Sequence, residues 1–195
     1  GETLTSTSMK NRVPTVDSVT FRYELETAFG TEEEYYFGEF WSRDPEGYND
    51  TYWIKSFKNG EYLSKPSEIN IAWDAGFSQG GAIDGLIFIP PVRDAVNPFE
   101  DNPEDDNAIL SPYADGDSLY VELHSITPAA HAFLNELRIQ TDRPGGFAAL
   151  FDTPLSNVST NITTSSGADA LGFFCVSSVS ANGSTLDISQ VPKEE

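Results

Sequence analysis

Carboxylates are the most abundant chemistry-bearing groups in this chain. Glu32-Glu33-Glu34, Glu104-Asp105-Asp106 and the pair Asp115 and Asp117 supply them in clusters. Two carboxyls facing each other roughly 5 to 9.5 Å apart across a cleft are what glycoside hydrolysis needs, and sequence spacing does not encode that gap. The same groups are hard oxygen donors of the kind calcium takes in flexible loops. Asp105, Asp106, Asp115 and Asp117 are the candidate set for a structural calcium ion, although the regular Asp-x-Asp-x-Asp-Gly loop is missing. A second chemistry is available to the aromatic residues Trp41, Tyr48, Trp53 and Trp73, which lie in or beside turns where their rings could stack on sugar faces. Core packing accounts for such rings as well.

Nucleophilic chemistry has less to work with. The chain holds two histidines, and a Ser-His-Asp arrangement can be imagined from either. His124 falls on the polar face of a strand and His131 on a helix three residues before Leu134, so both read as surface or interfacial residues without a chemical role. Cys175 is the only cysteine, which excludes a disulfide framework within the chain. It sits in the apolar run Leu171 to Val176 and reads as an inert thiol in a buried strand. No nucleotide-binding loop, zinc pattern or nucleophile elbow is present, and the glycine-rich stretch Gly76 to Gly85 has no lysine and no following helix. The residues therefore point to a non-enzymatic protein.

The elements that must position these groups are mostly strands. Ser18 to Leu25 alternates, with Val19, Phe21, Tyr23 and Leu25 on one face, and Tyr35 to Trp41 returns with five aromatics in seven residues, which predicts a hairpin. Asp44-Pro45-Glu46-Gly47 and Asn49-Asp50 are turn chemistry, and Thr51 to Phe57 makes a third strand. Glu68 to Trp73 alternates briefly, and Ile83 to Ile89 predicts a buried strand stopped by Pro90-Pro91. Residues 94–117 carry eight Asp or Glu and read as a long exposed insertion. Leu119, Val121 and Leu123 then alternate against Tyr120, Glu122 and His124. Thr127 is an N-cap, Pro128 suits the first helical position, and Ala130, Phe133, Leu134 and Leu137 follow at helical spacing. Phe147 to Phe151 is apolar, Leu171 to Val179 is the last core strand, and Ser184 to Ile188 adds an edge.

Six or seven strands and one good helix make a mainly β protein. The expected form is an antiparallel β-sandwich or partly closed barrel with one amphipathic helix, about 128–141, packed on it. At 195 residues and 38% hydrophobic, the chain can build one good core. Residues 1–12 read as the flexible tether of an exported protein and 13–190 as a single β-rich domain with the acidic insertion at 94–117. The net charge of −20 repels phosphate backbones and anionic membrane surfaces, which argues against nucleic acid as a partner.

Several pieces together carry a family resemblance. They are Asp44-Pro45-Glu46-Gly47 followed by Asn49 and Tyr52-Trp53, and Gly116-Asp117 opening Val121-Glu122-Leu123-x-Ser125-Ile126. Phe133-Leu134, then Phe151 and Pro154 before Asn161-Ile162, and Leu171-Gly172-Phe173-Phe174 complete the set. Over about residues 13–180 the chain resembles the domain-of-unknown-function family 4249, outer-membrane lipoproteins of Bacteroidetes. It departs from that pattern at Phe173, where the family usually has tyrosine, and in lacking the β-rich N-terminal portion. The resemblance implies the C-terminal part of a longer protein or a shortened member. It further implies an exported protein held at the outer membrane, facing the periplasm or the cell surface, through a lipid anchor lying outside this sequence. Such proteins are often encoded beside TonB-dependent receptors that import glycans or other nutrients. The expectation is a domain binding a ligand or partner, with a glycan or a TonB-dependent receptor as candidates; the alternatives are a carboxylate-dependent hydrolase acting on polysaccharide and a structural assembly or adhesion module.

Overall fold

The computed structural model describes residues 1–28, 31–47, 49–79, 83–98, 111–142, 156–168 and 170–193. The chain opens with a two-residue strand, β1 (Leu4–Thr5), and then enters a long hairpin of β2 (Val16–Ala28) and β3 (Thr31–Ser42). Next come β4 (Thr51–Lys58), the short β5 (Glu61–Tyr62), a single 3-10 turn at Pro66–Glu68, and β6 (Asn70–Trp73). A one-turn helix, α1 (Pro90–Arg93), precedes β7 (Ser118–Ile126), and β7 passes through Thr127 directly into α2 (Pro128–Thr141). The chain closes with β8 (Thr163–Thr164), which pairs with β1, and β9 (Ser178–Thr185).

Strand β4 pairs antiparallel with β7 along its whole length, and β7 pairs with β9 on its far side. On its other edge β4 holds β6 at one end and β5 at the other. This sheet has two unlike faces because side chains alternate along each strand. Tyr52, Ile54, Leu119, Val121 and Leu123 point inward, all at most 1% exposed, and the β2–β3 hairpin lies over them. Burying each such side chain is worth about 1.5–3 kcal/mol, so this interface is the main core. Gly38 marks the crossing of hairpin and sheet, since a Cβ there would collide with Leu119 Cδ2. Asn97 bridges the same spot, accepting from the Gly38 N–H at 2.7 Å and donating to its carbonyl at 3.0 Å.

The outer face is only partly covered. Helix α2 packs over the end where β6, β4 and β7 meet, burying Ala130 and Leu134 against Ile71 and Ile126. Its start is the one read from the sequence: Thr127 accepts the Ala130 N–H through its hydroxyl and Pro128 takes the first helical position. The architecture is thus an antiparallel sandwich of hairpin and sheet with one main helix, and it is not a closed barrel.

Several expectations change. Residues 83–89 form no strand: they turn at Gly85, whose φ is +71°, meet the end of β3 through an Arg43–Ile87 bridge and the Phe88 N–H on the Ser42 carbonyl, and insert Phe88 between Phe40 and Tyr52. Residues 171–177 are not a core strand either. Gly172 adopts φ +96°, and side chains rather than a neighbouring strand take the backbone groups: Asn161 clamps both the N–H and the carbonyl of Phe174, and Ser8 accepts from Val176. Cys175 in that segment is consequently exposed. The acidic insertion is anchored at its described ends, because Val96 and Tyr113 are 0% and 1% accessible in the main core, while Ala114 to Gly116 are exposed. Within α2, Phe133 is only partly buried, while Leu134 is the buried residue of that turn. Residues 1–12, read as a tether, run hydrogen-bonded across the molecule, with Asn11 donating to the Ile126 carbonyl at 2.9 Å.

Candidate functional site

Because α2 covers one end of the outer face and stands away from the rest, an apolar cleft of about 350 Å³ opens beneath it. Its floor is Trp53, Ile69 and Ile126 from the sheet side, and its wall is Phe133, Leu134 and Leu137 on consecutive turns of α2. The segment before β9 closes the far side with Phe173, whose ring stacks on Phe133 at 5.0 Å, and Cys175. Tyr62 and Ser64 stand at the open end. A cleft of this size falls at the small end of the range of ligand pockets, about 300–1,000 Å³.

Trp53 is the most constrained of these side chains. Lys55 Nζ lies 4.0 Å from its ring centroid, and the His124 ring lies 5.9 Å away. Its Nε1 is buried and has no hydrogen-bond partner among the described residues, whereas a buried indole N–H normally finds an acceptor.

Beside Trp53 a row of three polar side chains runs along the sheet. His124 Nε2 lies 2.9 Å from Glu122 Oε2, and His124 Nδ1 lies 3.0 Å from Ser177 Oγ. Glu122 and His124 share the outer face because they are two apart on β7. Burial, followed by the charge of Lys55, pulls the His124 pKa down, against the hydrogen bond from Glu122 that raises it. The imidazole is therefore neutral at pH 7. A carboxylate only accepts, so Nε2 carries the proton, and Nδ1 is left to accept from the Ser177 hydroxyl.

Beyond the row, toward the opposite end of the sheet, three rings follow one another. Tyr62 and Phe57 lie 5.3 Å apart, and Phe57 and Tyr120 lie 5.9 Å apart. Tyr62 and Tyr120 are 38% and 44% exposed. Tyr120 lies against Gly183, whose missing Cβ gives the ring its place.

Of the four aromatic residues singled out by sequence, the three described ones have separate settings. Trp53 lines the cleft. Trp41 sits in the hairpin, its Nε1 donating to Thr20 at 2.9 Å and its ring 3.9 Å under the Arg93 guanidinium. Trp73 packs edge-on against His131 at 5.2 Å, and Tyr48 lies outside the described residues. Both histidines are interfacial, within the surface or interfacial placement expected, and burial draws both pKa values down.

Of the calcium candidates, Asp105 and Asp106 also lie outside the described residues. Asp115 accepts from the Ile188 N–H at 3.0 Å. Asp117 closes a turn, accepting from the Ala114 N–H at 2.9 Å and from Asn59 at 2.7 Å, which holds its carboxyl below the usual carboxylate range. Among the described residues a different trio brings its oxygens together, Asp44, Asp50 and Asp74, all within 4.8 Å of one another. Such a trio is a donor set for a hard cation. Here its oxygens already hold protein groups: Asp44 takes the Tyr52 hydroxyl at 2.6 Å and the Gly85 N–H at 3.2 Å, Asp74 takes the Asp50 N–H at 2.9 Å, and Asp50 is paired with Arg12. A carboxyl pair, Glu39 and Asp94, is bridged by Arg22, with burial and then the neighbouring Asp94 pushing the Glu39 pKa up. Neither group lines the cleft.

Sequence reasoning missed Ser177, Glu122 and the aspartate trio. Glu122 and His124 carry a legible signal, two titratable residues at strand spacing. Ser177 and the trio carry none, since loops bring them in.

No curated protein and no solved structure matches the chain. No helix among the described residues is long and apolar enough to cross a membrane. The strand, helix and clamped C-terminal segment that build the cleft all fall within the one stretch that does match, residues 2–182, and by that match the chain belongs to the domain of unknown function 4249 family (DUF4249).

Proposed function

We propose that this domain is a small-molecule binding module whose site is the cleft between α2 and the outer face of the sheet. The observation that carries this reading is an apolar hollow of about 350 Å³ lined by Trp53, whose buried indole N–H has no partner among the described residues. A ligand with an apolar body and one hydrogen-bond acceptor satisfies both features: it covers apolar surface at about 25 cal/mol per Å² and gives the orphan donor an acceptor. The exposed Tyr62 and Tyr120 rings, with Phe57 half-buried between them, support a second subsite next to the cleft, where a sugar ring could stack. The expected setting is the outer membrane, as a lipid-anchored accessory to a TonB-dependent transporter, and it rests on the resemblance carried by residues 116–126 and 161–174.

Titration with straight-chain carboxylates of increasing length tests the site, read by Trp53 emission in a Trp41→Phe, Trp73→Phe background. Affinity rises with chain length until the cleft is full and falls at least tenfold in Ser64→Phe, which narrows the open end. A flat response across the series contradicts the reading.

A further inference from the structure

Along β7 the outward-facing residues come in the order Ile126, His124, Glu122, Tyr120. Ile126 is the cleft floor and Tyr120 belongs to the exposed aromatic stripe, so the Ser177–His124–Glu122 row lies between them, within a span of about 20 Å at strand rise. Ser177 follows Cys175 of the cleft wall by two residues, which puts the hydroxyl at the cleft end of the row. From this order of groups we infer that Ser177 is a nucleophile for carboxylic esters, with the acyl chain in the apolar cleft and the alcohol portion directed along the sheet toward the aromatic stripe.

Each role follows from the hydrogen bonds. Glu122 holds the Nε2–H of a neutral imidazole, so Nδ1 keeps its lone pair toward Ser177 Oγ at 3.0 Å, the arrangement of a nucleophile with its general base. The ring nitrogens are used in the opposite sense to the serine-protease triad, which matters little, because triads are defined by roles and geometry. In the first step Ser177 Oγ bonds to the ester carbonyl carbon while its proton passes to His124 Nδ1. The C–O bond to the alcohol then breaks, and the alcohol leaves with that proton. Water adds to the acyl-serine, His124 again taking and returning the proton, and the carboxylic acid departs. Charge develops on the carbonyl oxygen in both halves of the reaction. The groups facing His124 are Glu122 and Ser177 by hydrogen bond, Lys55 by charge, and the Trp53 ring.

The inference rests on the binding reading above, and its test separates the two. The whole chain is treated with an alkyl fluorophosphonate and mapped by mass spectrometry, and initial rates are measured on p-nitrophenyl esters from acetate to decanoate. The expected result is a single adduct on Ser177, absent in Ser177→Ala. Ester cleavage should fall about 10²–10⁴-fold in His124→Gln, and fall also in Glu122→Gln, where the amide can donate to Nε2 and send the ring proton to Nδ1. Rates should rise with pH through a His124 pKa below 6.5 and then stay level. Straight-chain carboxylates binding the cleft of a protein whose Ser177 stays unlabelled, or an adduct on Cys175 instead, overturns the nucleophile and leaves the cleft standing. Labelling of Ser177 with rates indifferent to acyl length and to Ser64→Phe keeps the nucleophile but overturns the placement of the acyl chain in the cleft.

Discussion

The Tyr52 hydroxyl donates to Asp44 Oδ1 at 2.6 Å, with both residues at most 1% exposed. This contact ties the third strand of the sandwich to the turn that leaves the hairpin, and it lies under an aspartate trio whose like charges oppose one another. Burial pushes the Asp44 carboxyl up first, while the Tyr52 and Gly85 hydrogen bonds pull it back, and burial likewise raises Asp74.

A pH dependence follows from those directions. A carboxyl whose native pKa lies above its unfolded value keeps its proton longer in the folded state, so its contribution favours folding on the acid side and fades as pH climbs from the unfolded value of 3.8 through the native one. Tyr52→Phe removes the donor that holds Asp44 ionised. Urea denaturation should show a loss of about 1–3 kcal/mol at pH 7 and a smaller loss near pH 4.5. Equal losses at the two pH values would count against a buried carboxylate as the affected partner.

Gly38→Ala should cost about 1–3 kcal/mol, the usual range for overpacking a core. The new Cβ meets the Leu119 side chain, which is fully buried and has nowhere to retreat. Thermal denaturation checks this, and the double variant Gly38→Ala, Leu119→Ala should lose less than the two single losses added together.

Leu134 and Phe133 are neighbours with different duties. Leu134 is 7% exposed against Ile71 and Ile126, whereas Phe133 borders the open cleft and stacks on Phe173. Leu134→Ala is expected to destabilise by about 2–5 kcal/mol and Phe133→Ala by less, with the larger effect of Phe133→Ala on ligand affinity. The reverse ranking in denaturation would place Phe133 in the core.

Loss of the Thr127 cap should be modest and local. Thr127→Ala removes the acceptor for the Ala130 N–H and is expected to cost about 0.5–2 kcal/mol. Amide exchange should quicken in the first turn of α2 and leave β7 unchanged.

What the sequence disclosed depended on whether a residue's partners were local. The alternation of Leu119, Val121 and Leu123, the Thr127 cap and Pro128 at the first helical position act within a few residues, and β7 and α2 stand where they place them. Residues 83–89 and 171–177 are equally apolar, yet neither became a strand, because a strand needs a neighbour to pair with and both met side chains or a turning glycine instead. The candidate site was less legible still. Trp53 stood out as a tryptophan in a strand beside a turn, but its cleft depends on how far α2 stands off the sheet. Ser177 reaches His124 across 53 residues, and Asp44, Asp50 and Asp74 converge only once two turns and a strand end have folded together.

The account turns on where an apolar ligand sits, and intermolecular NOEs from the methyl protons of bound decanoate locate it most directly. Contacts to Leu134, Leu137 and Phe173 are predicted, with none to Trp41. Contacts at Trp41, or scattered over the surface with none to α2, would contradict the cleft as the binding site.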